Sequence, residues 1–217
     1  MKELFKKESR LTASLLTYIF ILFSLMTVIP GYPILVGSFF ACLGIFYTFQ
    51  TARECNDILY TALLPVKKSD VVISKFLFVA VIQALFFVLC LVLTVVRMTV
   101  LKNAAVYTSN PLMNANLYYL GYILIIFAMY NLIFVRGFFK TGYFIGKPFI
   151  LFGIAGFLIV GVAETLHHIP GLSFLNTTCF EKPLLQTMFL IISFIIYLSA
   201  TAIGIKKSVK TFNSIDL

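Results

Sequence analysis

Charged residues are scarce in this sequence, and their scarcity determines the class of protein. Only 12% of the 217 residues are Asp, Glu, Lys or Arg, whereas 61% are hydrophobic, with 24 Phe and no Trp. A chain of this length cannot hide so much apolar surface in one soluble core. The composition therefore excludes an ordinary soluble protein and predicts an integral membrane protein.

Cysteine and histidine are too sparse and scattered to indicate a disulfide framework or a metal centre. No two cysteines form a Cys-x-x-Cys pair. The four cysteines are Cys42, Cys55, Cys90 and Cys179. Glu164 lies near His167 and His168, but adjacent His side chains point apart, unlike the two ligands of a His-Glu-x-x-His helix. We therefore expect no metal site, and we interpret this segment as a solvated or interfacial loop.

Six long apolar runs divide the chain, and most approach the roughly 20 residues that a helix needs to cross a bilayer. We predict an all-α membrane protein with six transmembrane helices, at residues 11–29, 34–50, 76–96, 117–135, 149–163 and 184–205. The sequence shows no internal repeat and no low-complexity linker. We therefore expect one transmembrane domain over residues 1–217.

The basic residues gather in every second gap between these runs. Of the 17 Lys and Arg residues, only Arg97, Lys102 and Lys182 fall on one predicted side, so the remaining 14 share the other. Short loops rich in Lys and Arg stay in the cytoplasm, which predicts that both termini are cytoplasmic. The net charge of +9 then faces anionic membrane lipid, and we expect no nucleic-acid partner.

The six runs themselves contain no Asp, Glu, Lys, Arg or His. A charge at the bilayer centre costs on the order of 3 kcal/mol and is usually retained where ions or protons are handled. Its absence argues against an ion-coupled carrier. The strongest polar groups within the runs are Gln83 and Asn131, which are candidates for a substrate path or, alternatively, for an interhelical hydrogen bond.

The sequence also lacks a phosphate-binding loop. Residues 142–148 come nearest, but three residues separate Gly142 from Gly146 instead of four. Pro148 stands where Ser or Thr would bind magnesium. We therefore predict that the chain is not an enzyme, needs no cofactor of its own, and takes any driving energy from another subunit.

The longest predicted cytoplasmic gap covers residues 51–75 and contains an apolar stretch. Pro65 disfavours helix at Leu64, and Ser69 or Asp70 can cap the helix that follows. The apolar side chains are those of Leu59, Leu63 and Leu64. Charged residues flank them, at Glu54, Asp57, Lys67, Lys68 and Asp70. A simple reversal of the chain is the alternative, but it needs only a handful of residues, so we predict that this segment docks on a partner.

The N-terminal residues 2–10 alternate basic side chains with Leu4 and Phe5. This pattern is typical of an amphipathic helix that lies flat at a membrane interface. We expect it to precede the first span and to brace the segment 51–75.

Two stretches resemble a known family. Residues 63–76 read Leu-Leu-Pro-Val-Lys-Lys-Ser-Asp-Val-Val-Ile-Ser-Lys-Phe and follow acidic residues after the second run. They resemble the acidic pair and the Ser-Leu-Pro, basic, Val, Ser-Lys-Tyr segment of type 2 permeases of bacterial ATP-binding cassette (ABC) exporters. Residues 131–140 are similar to the Pro-aromatic-Phe-Lys-Phe-Gly segment after their fourth span. Leu63 replaces the usual Ser, Asn131 a frequent Pro, and Asn56-Asp57 the common Asp-Glu.

The resemblance implies a permease subunit in the bacterial plasma membrane. Such a subunit pairs with a second permease, identical or sister, and with two separate ATPase subunits that hold ATP and magnesium. The segment around Pro65 and Val66 would dock into a cleft on the ATPase. Small members of the family export amphipathic or antimicrobial peptides, for secretion or for resistance. An energy-independent channel and a structural or regulatory membrane subunit remain the alternatives.

Overall fold

A computed structural model describes residues 2–141, 144–180 and 182–215, and every regular element in these ranges is helical. The α-helices are α1 Lys2–Lys7, α2 Leu15–Ile19, α3 Val36–Glu54, α4 Asp57–Ala62, α5 Lys68–Thr99, α6 Ala105–Thr108, α7 Leu117–Met129, α8 Arg136–Thr141, α9 Gly146–Leu166 and α10 Pro183–Asn213. Other helical geometry occurs in the π-helical segments Glu8–Thr12 and Tyr130–Val135 and in the 3₁₀ segments Phe20–Val28 and Ser173–Asn176.

Four helical stretches are long and apolar enough to cross a membrane: Lys68–Thr99, Leu117–Thr141, Gly146–Leu166 and Pro183–Asn213. They contain the third to sixth predicted spans. Helix α5 has 32 residues, and at about 1.5 Å per residue it exceeds the thickness of the hydrocarbon core. The protein is therefore a multi-pass, all-helical membrane protein.

The first predicted span is not one straight helix. Residues Lys2–Thr12 and Leu15–Val28 meet at a bend of 93°, and the bent pair forms either one broken span or a re-entrant loop. The bend lies at Ala13 and Ser14, whose backbones are extended, and the Ser14 hydroxyl accepts a hydrogen bond from Leu16 N at 3.3 Å. Residues 11 and 12 of the predicted span therefore belong to the segment before the bend, because Ser14 caps a new helix inside an apolar run.

Residues 36–50 of the second predicted span lie in α3, which has 19 residues and ends in polar side chains at Gln50, Arg53 and Glu54, whereas residues 34 and 35 precede this helix. It is not among the four helical stretches that are long and apolar enough to cross a membrane. The six-span count thus stays a prediction. Helix α3 packs antiparallel to α2 and the 3₁₀ turn that follows it: Thr17 Oγ1 donates to the Gly44 carbonyl at 2.6 Å, and the Phe23 and Phe40 rings stack at 4.4 Å.

The core is centred on the stretch Leu117–Thr141, which is the most buried of the four candidate spans. Aromatic rings fill it: Phe49 packs edge-on against Phe134 at 5.2 Å and Phe138 at 4.8 Å. Helices α9 and α10 are far more exposed and present apolar side chains outward. The central helix is thus enclosed by the others. Each spanning helix satisfies its backbone through its own hydrogen bonds, so the outer helices can present apolar side chains to lipid.

The segments that connect the helices contact one another in two groups, one at each end of the molecule. At one end, Lys75 contacts Asp57, and Lys68 Nζ donates to the Ile215 carbonyl at 2.6 Å. We call this the basic end. At the opposite end, Tyr107 OH donates to the Val28 carbonyl at 2.8 Å. Loop residues there are also bonded to each other, with Met113 N donating to Glu164 at 2.9 Å and Asn114 N to Asn176 at 2.6 Å. Several segments predicted to share a side therefore contact each other, and the orientation of the two ends in a membrane stays a prediction.

Candidate coupling site

The segment between α3 and α5 contains two breaks in the helix. Helix α3 ends at Glu54, and Asn56 adopts the left-handed conformation (φ 51°), which Asn tolerates better than most residues. The short helix α4 follows and ends before Pro65, as the sequence predicts. The expected cap at Ser69 or Asp70 is wrong, since α5 begins at Lys68 with Lys67 as its extended N-cap residue.

An apolar patch covers the outer face of this segment. Its members are Leu59, Tyr60, Leu63 and Leu64, which are 36%, 73%, 84% and 44% exposed. The sequence predicted the three leucines but not Tyr60. Large apolar side chains exposed together outside the spans are a typical sign of a protein interface.

The polar residues proposed for the same site differ in their surroundings. Glu54 is exposed and accepts a hydrogen bond from Gln50 at 3.0 Å, and Asp70 is half-buried beside Ser69. Lys67 is exposed. The neighbouring Pro65 is exposed as well, whereas Val66 is half-buried. Lys68 donates to the backbone carbonyl of Ile215. Their role in docking stays a prediction, and the structure brings them to one end of the molecule.

Asp57 is different, because it joins a nearly buried network of four charges. Lys7 Nζ lies 2.6 Å from Asp57 Oδ1 and 3.2 Å from Glu8 Oε1, and it also donates to Thr61 Oγ1 at 2.8 Å. Lys75 Nζ lies 2.7 Å from Glu8 Oε2 and 3.0 Å from Asp57 Oδ2. Each carboxylate thus bridges both amines. We call Lys7, Glu8, Asp57 and Lys75 the charge network.

The charge network is balanced and mostly buried, which makes it sensitive to the loss of any member. The Glu8 and Lys75 side chains are only 1% and 3% exposed. Burial by itself would raise the pKa of Asp57, but the charges and hydrogen bonds of Lys75 and Lys7 outweigh it and hold that pKa below its usual value. Removing one partner of such a buried pair typically costs about 3–5 kcal/mol, because the other charge is left uncompensated.

The charge network connects three elements. Lys7 and Glu8 lie where α1 meets the first π-helical segment, Asp57 begins α4, and Lys75 lies near the start of α5. The segment that carries the apolar patch is thereby held to the N-terminal helix and to a long spanning helix. A displacement of α4 must move these elements with it or break buried ion pairs.

The sequence reasoning did not assign Lys7, Glu8 and Lys75 to the site. One signal for Lys75 was present: Val71 and Val72 are buried, and Lys75 follows them by four and three residues on the same face of α5. Its partner Glu8 is far away in sequence, and no local pattern announces such a pairing.

A cavity of about 340 Å³ opens beside the charge network. It is lined by Lys7, Leu11, Thr12, Thr51, Ala52, Cys55, Asp57, Tyr60, Thr61 and Leu64. The Cys55 thiol is exposed here, whereas Cys42 and Cys90 are buried. The site therefore carries its own accessible thiol.

The two amides proposed for the substrate path bond to each other. Gln83 Nε2 donates to Asn131 Oδ1 at 3.1 Å, and Asn131 Nδ2 donates to Gln83 Oε1 at 3.2 Å. Tyr197 OH donates to Gln83 Oε1 at 3.0 Å, and Asn131 Nδ2 also reaches Thr201 Oγ1 at 2.9 Å. This cluster joins α5, the second π-helical segment and α10. A contact with substrate stays a prediction.

The residues considered for a metal site do not form the expected solvated loop, since Glu164 lies in the last turn of α9 and His167 is buried just after it. Among the described residues no group of three or more His, Cys, Asp or Glu could hold a metal ion. Glu164 and His167 instead contact the backbone of Met113 and Pro111. Of the loop compared with a phosphate-binding loop, residues 142 and 143 lie outside the described residues.

Comparison with known proteins identifies the family of this chain. A family model described as ABC-2 family transporter protein matches residues 3–213, almost the whole chain. No curated protein and no solved structure matches the sequence. Permeases of this family are normally non-catalytic membrane subunits that work with an ATPase partner and pair with a second permease. The chain belongs to the ABC-2 family of transporter proteins and is a permease subunit of an ABC transporter.

Proposed function

We propose that this permease is driven through α4 and the turn that follows it, which dock on the ATPase subunit by the apolar patch. The observation that carries the proposal is the combination of that patch with the charge network beneath it. Tyr60 of α4 and Leu63 just after it are mostly exposed, yet α4 is fixed at Asp57 by two lysines. A surface that is apolar, exposed and firmly anchored suits a contact that transmits force.

The anchoring of α4 determines how a movement of the ATPase subunits reaches the rest of the permease. When ATP brings the ATPase pair together, α4 shifts, and the charge network passes that shift to the N-terminal helix and to α5. The contact must differ in strength between the two states of the permease, because a contact that is equally good in both shifts no equilibrium. The bend of 93° after the N-terminal helix gives that helix a hinge to move about.

The assembly that we propose contains two permeases and two ATPase subunits in a bacterial plasma membrane. The second permease is an identical or a sister chain, and the ATPase subunits hold ATP and magnesium. Each permease would cross the membrane six times with both termini in the cytoplasm. The clustering of Lys7, Lys68 and Lys75 at the basic end supports this orientation, because basic ends face the cytoplasm.

For the cargo we propose an amphipathic peptide or a similar amphiphile. The support is the apolar character of the outward faces of α9 and α10, where Ile154, Phe157, Ile191 and Ile195 are about half exposed. An apolar or amphipathic molecule can move along such walls from the inner leaflet, whereas an ion would meet no compensating charge there.

The docking proposal is tested with Leu63→Asp combined with Leu64→Asp, in a permease co-purified with its ATPase subunit. Both side chains are exposed, so we expect normal membrane insertion, but a loss of bound ATPase of about tenfold or more, as for central interface residues. Val106→Asp is the matched control, because Val106 is 57% exposed at the opposite end. Undiminished ATPase binding by the double variant would refute docking through the patch. Transport by the permease without an ATPase would favour a channel.

A further inference from the structure

We infer that a second cavity at the basic end binds the phosphate group and an acyl chain of an anionic phospholipid. The cavity measures about 600 Å³ and lies between the end of α3, the helix α8 and the start of α9. It is lined by Arg53, Ile133, Gly137, Lys140, Thr141, Phe144, Ile145, Gly146, Lys147, Pro148 and Leu151. It shares Ile133, Gly137 and Lys140 with a smaller neighbouring cavity and no residue with the coupling site.

The charge of this cavity selects an anion. Arg53, Lys140 and Lys147 come from three different helices and all line this space with exposed side chains, and no acidic residue is among the described residues that line it. Arg136 adds a fourth cation in the neighbouring cavity. Three cations of this kind would repel one another without a counter-charge, so the site favours a group with several negative oxygens.

The backbone at the start of α9 also favours the binding of an anion. Ile145 is the N-cap residue and offers no side-chain hydrogen bond to the first amides of this 21-residue helix. Phe149 N already bonds to the Ile145 carbonyl, and Pro148 has no N–H, which leaves the amides of Gly146 and Lys147 as helix-end donors. Such donors, at the positive end of the helix dipole, are suited to a phosphate oxygen.

The apolar part of the lining distinguishes a lipid from a free anion. Phe144 and Leu151 are 69% and 49% exposed, and Ile133 and Pro148 complete an apolar wall below the cations. Pro148 approaches so closely that a Cβ atom added to Gly137 would lie 2.7 Å from its Cβ, which closes that side of the cavity. A phosphate held next to an apolar wall at the end of spanning helices is the arrangement of a phospholipid in its leaflet. Basic pockets between spanning helices are known to hold lipid head groups.

The test uses the full-length permease in detergent, with native mass spectrometry of bound lipid after addition of equal amounts of phosphatidylglycerol and phosphatidylcholine. We expect wild-type protein to retain phosphatidylglycerol preferentially. The variant Arg53→Gln, Lys140→Gln, Lys147→Gln should lose apparent affinity for it by about tenfold or more, because each basic residue near an anionic head group adds to the attraction. The matched control Lys2→Gln, Lys6→Gln, Arg10→Gln removes the same charge from exposed positions outside the cavity and should change the affinity by less than about twofold.

Three outcomes would overturn the inference. The first is equal loss of lipid in both triple variants, which would reduce the effect to general surface charge. The second is no preference for phosphatidylglycerol in the wild-type protein, a result that does not depend on any variant folding. The third is displacement of the lipid by inorganic phosphate at equal concentration, which would assign the site to a free anion. None of these results bears on ATPase docking, so a failure here leaves the coupling proposal standing.

Discussion

At the scale of single residues, the charge network makes Lys75 the most constrained cation at the basic end. Lys75 faces two carboxylates at 2.7 and 3.0 Å and is almost completely buried, so its charge is compensated only by Glu8 and Asp57. Lys67, eight residues earlier in the same segment, is exposed. The two lysines therefore allow the effect of buried pairing to be separated from that of charge alone.

We predict that Lys75→Met lowers the free energy of unfolding by about 3–5 kcal/mol, because Glu8 and Asp57 are left with one cation between them. The measurement is denaturant unfolding of the purified protein in detergent. Lys67→Met should stay within about 0.5 kcal/mol of wild type, as an exposed substitution. Adding Glu8→Gln to Lys75→Met removes one charge of each sign and should cost less than the sum of the two single losses. Strictly additive losses would mean that the charges do not act as a network.

At the scale of elements, close approach of helices is set by small residues. Gly44 of α3 lies against Phe20, so close that an added Cβ atom would stand 2.7 Å from the Phe20 Cβ. Gly153 of α9 has open space at the same position, with nothing within 4 Å. Both glycines are inside helices, so the same substitution carries the same helix-propensity change at each.

We predict that Gly44→Val destabilises the protein by about 1–3 kcal/mol more than Gly153→Val, because the side chain forces the first and second apolar segments apart. Thermal unfolding in detergent measures the difference. The shift should also weaken the bond of Thr17 to the Gly44 carbonyl, which holds these segments together. Equal stability of the two valine variants would contradict the close packing of Gly44 against Phe20.

Sequence patterns predict the position of some structural elements and miss others. The third to sixth runs are long and uninterrupted, and each lies within a helix that is apolar enough to span a membrane. The bend at Ser14 was missed, because a single polar residue within an apolar run does not reveal that its hydroxyl caps a new helix. The break at Asn56 was missed for another reason: it depends on a left-handed backbone at one residue, which no local pattern marks. The three leucines of the apolar patch were found from composition alone, whereas Tyr60 and the pairing of Lys75 with Glu8 depend on how distant segments meet.

At the scale of the whole molecule, the two ends differ in chemistry and in how they are held together. The basic end carries the charge network and the basic cavity, whereas amide side chains, together with Arg97 and Glu164, bond the segments of the opposite end. There, Arg97 is buried and bonds to the Thr27 carbonyl and to Asn114, both at 2.8 Å. Asn114 in turn binds Asn176. A firmly bonded opposite end and an anchored but exposed basic end fit a permease that is driven from the basic side.

The free cysteines allow a measurement of which side of the membrane each end faces. Cys55 is exposed beside the charge network, and Cys179 is half-buried near Asn176 at the opposite end, whereas Cys42 and Cys90 are buried. We predict that a membrane-impermeant maleimide labels Cys55 in inverted vesicles but not in intact cells. Since the spans separate the two ends, Cys179 should show the reverse preference. Cys55→Ser and Cys179→Ser identify the labelled thiol in each case. Labelling of Cys55 in intact cells would place the apolar patch outside the cytoplasm, where no ATPase could reach it, and would refute coupling through α4.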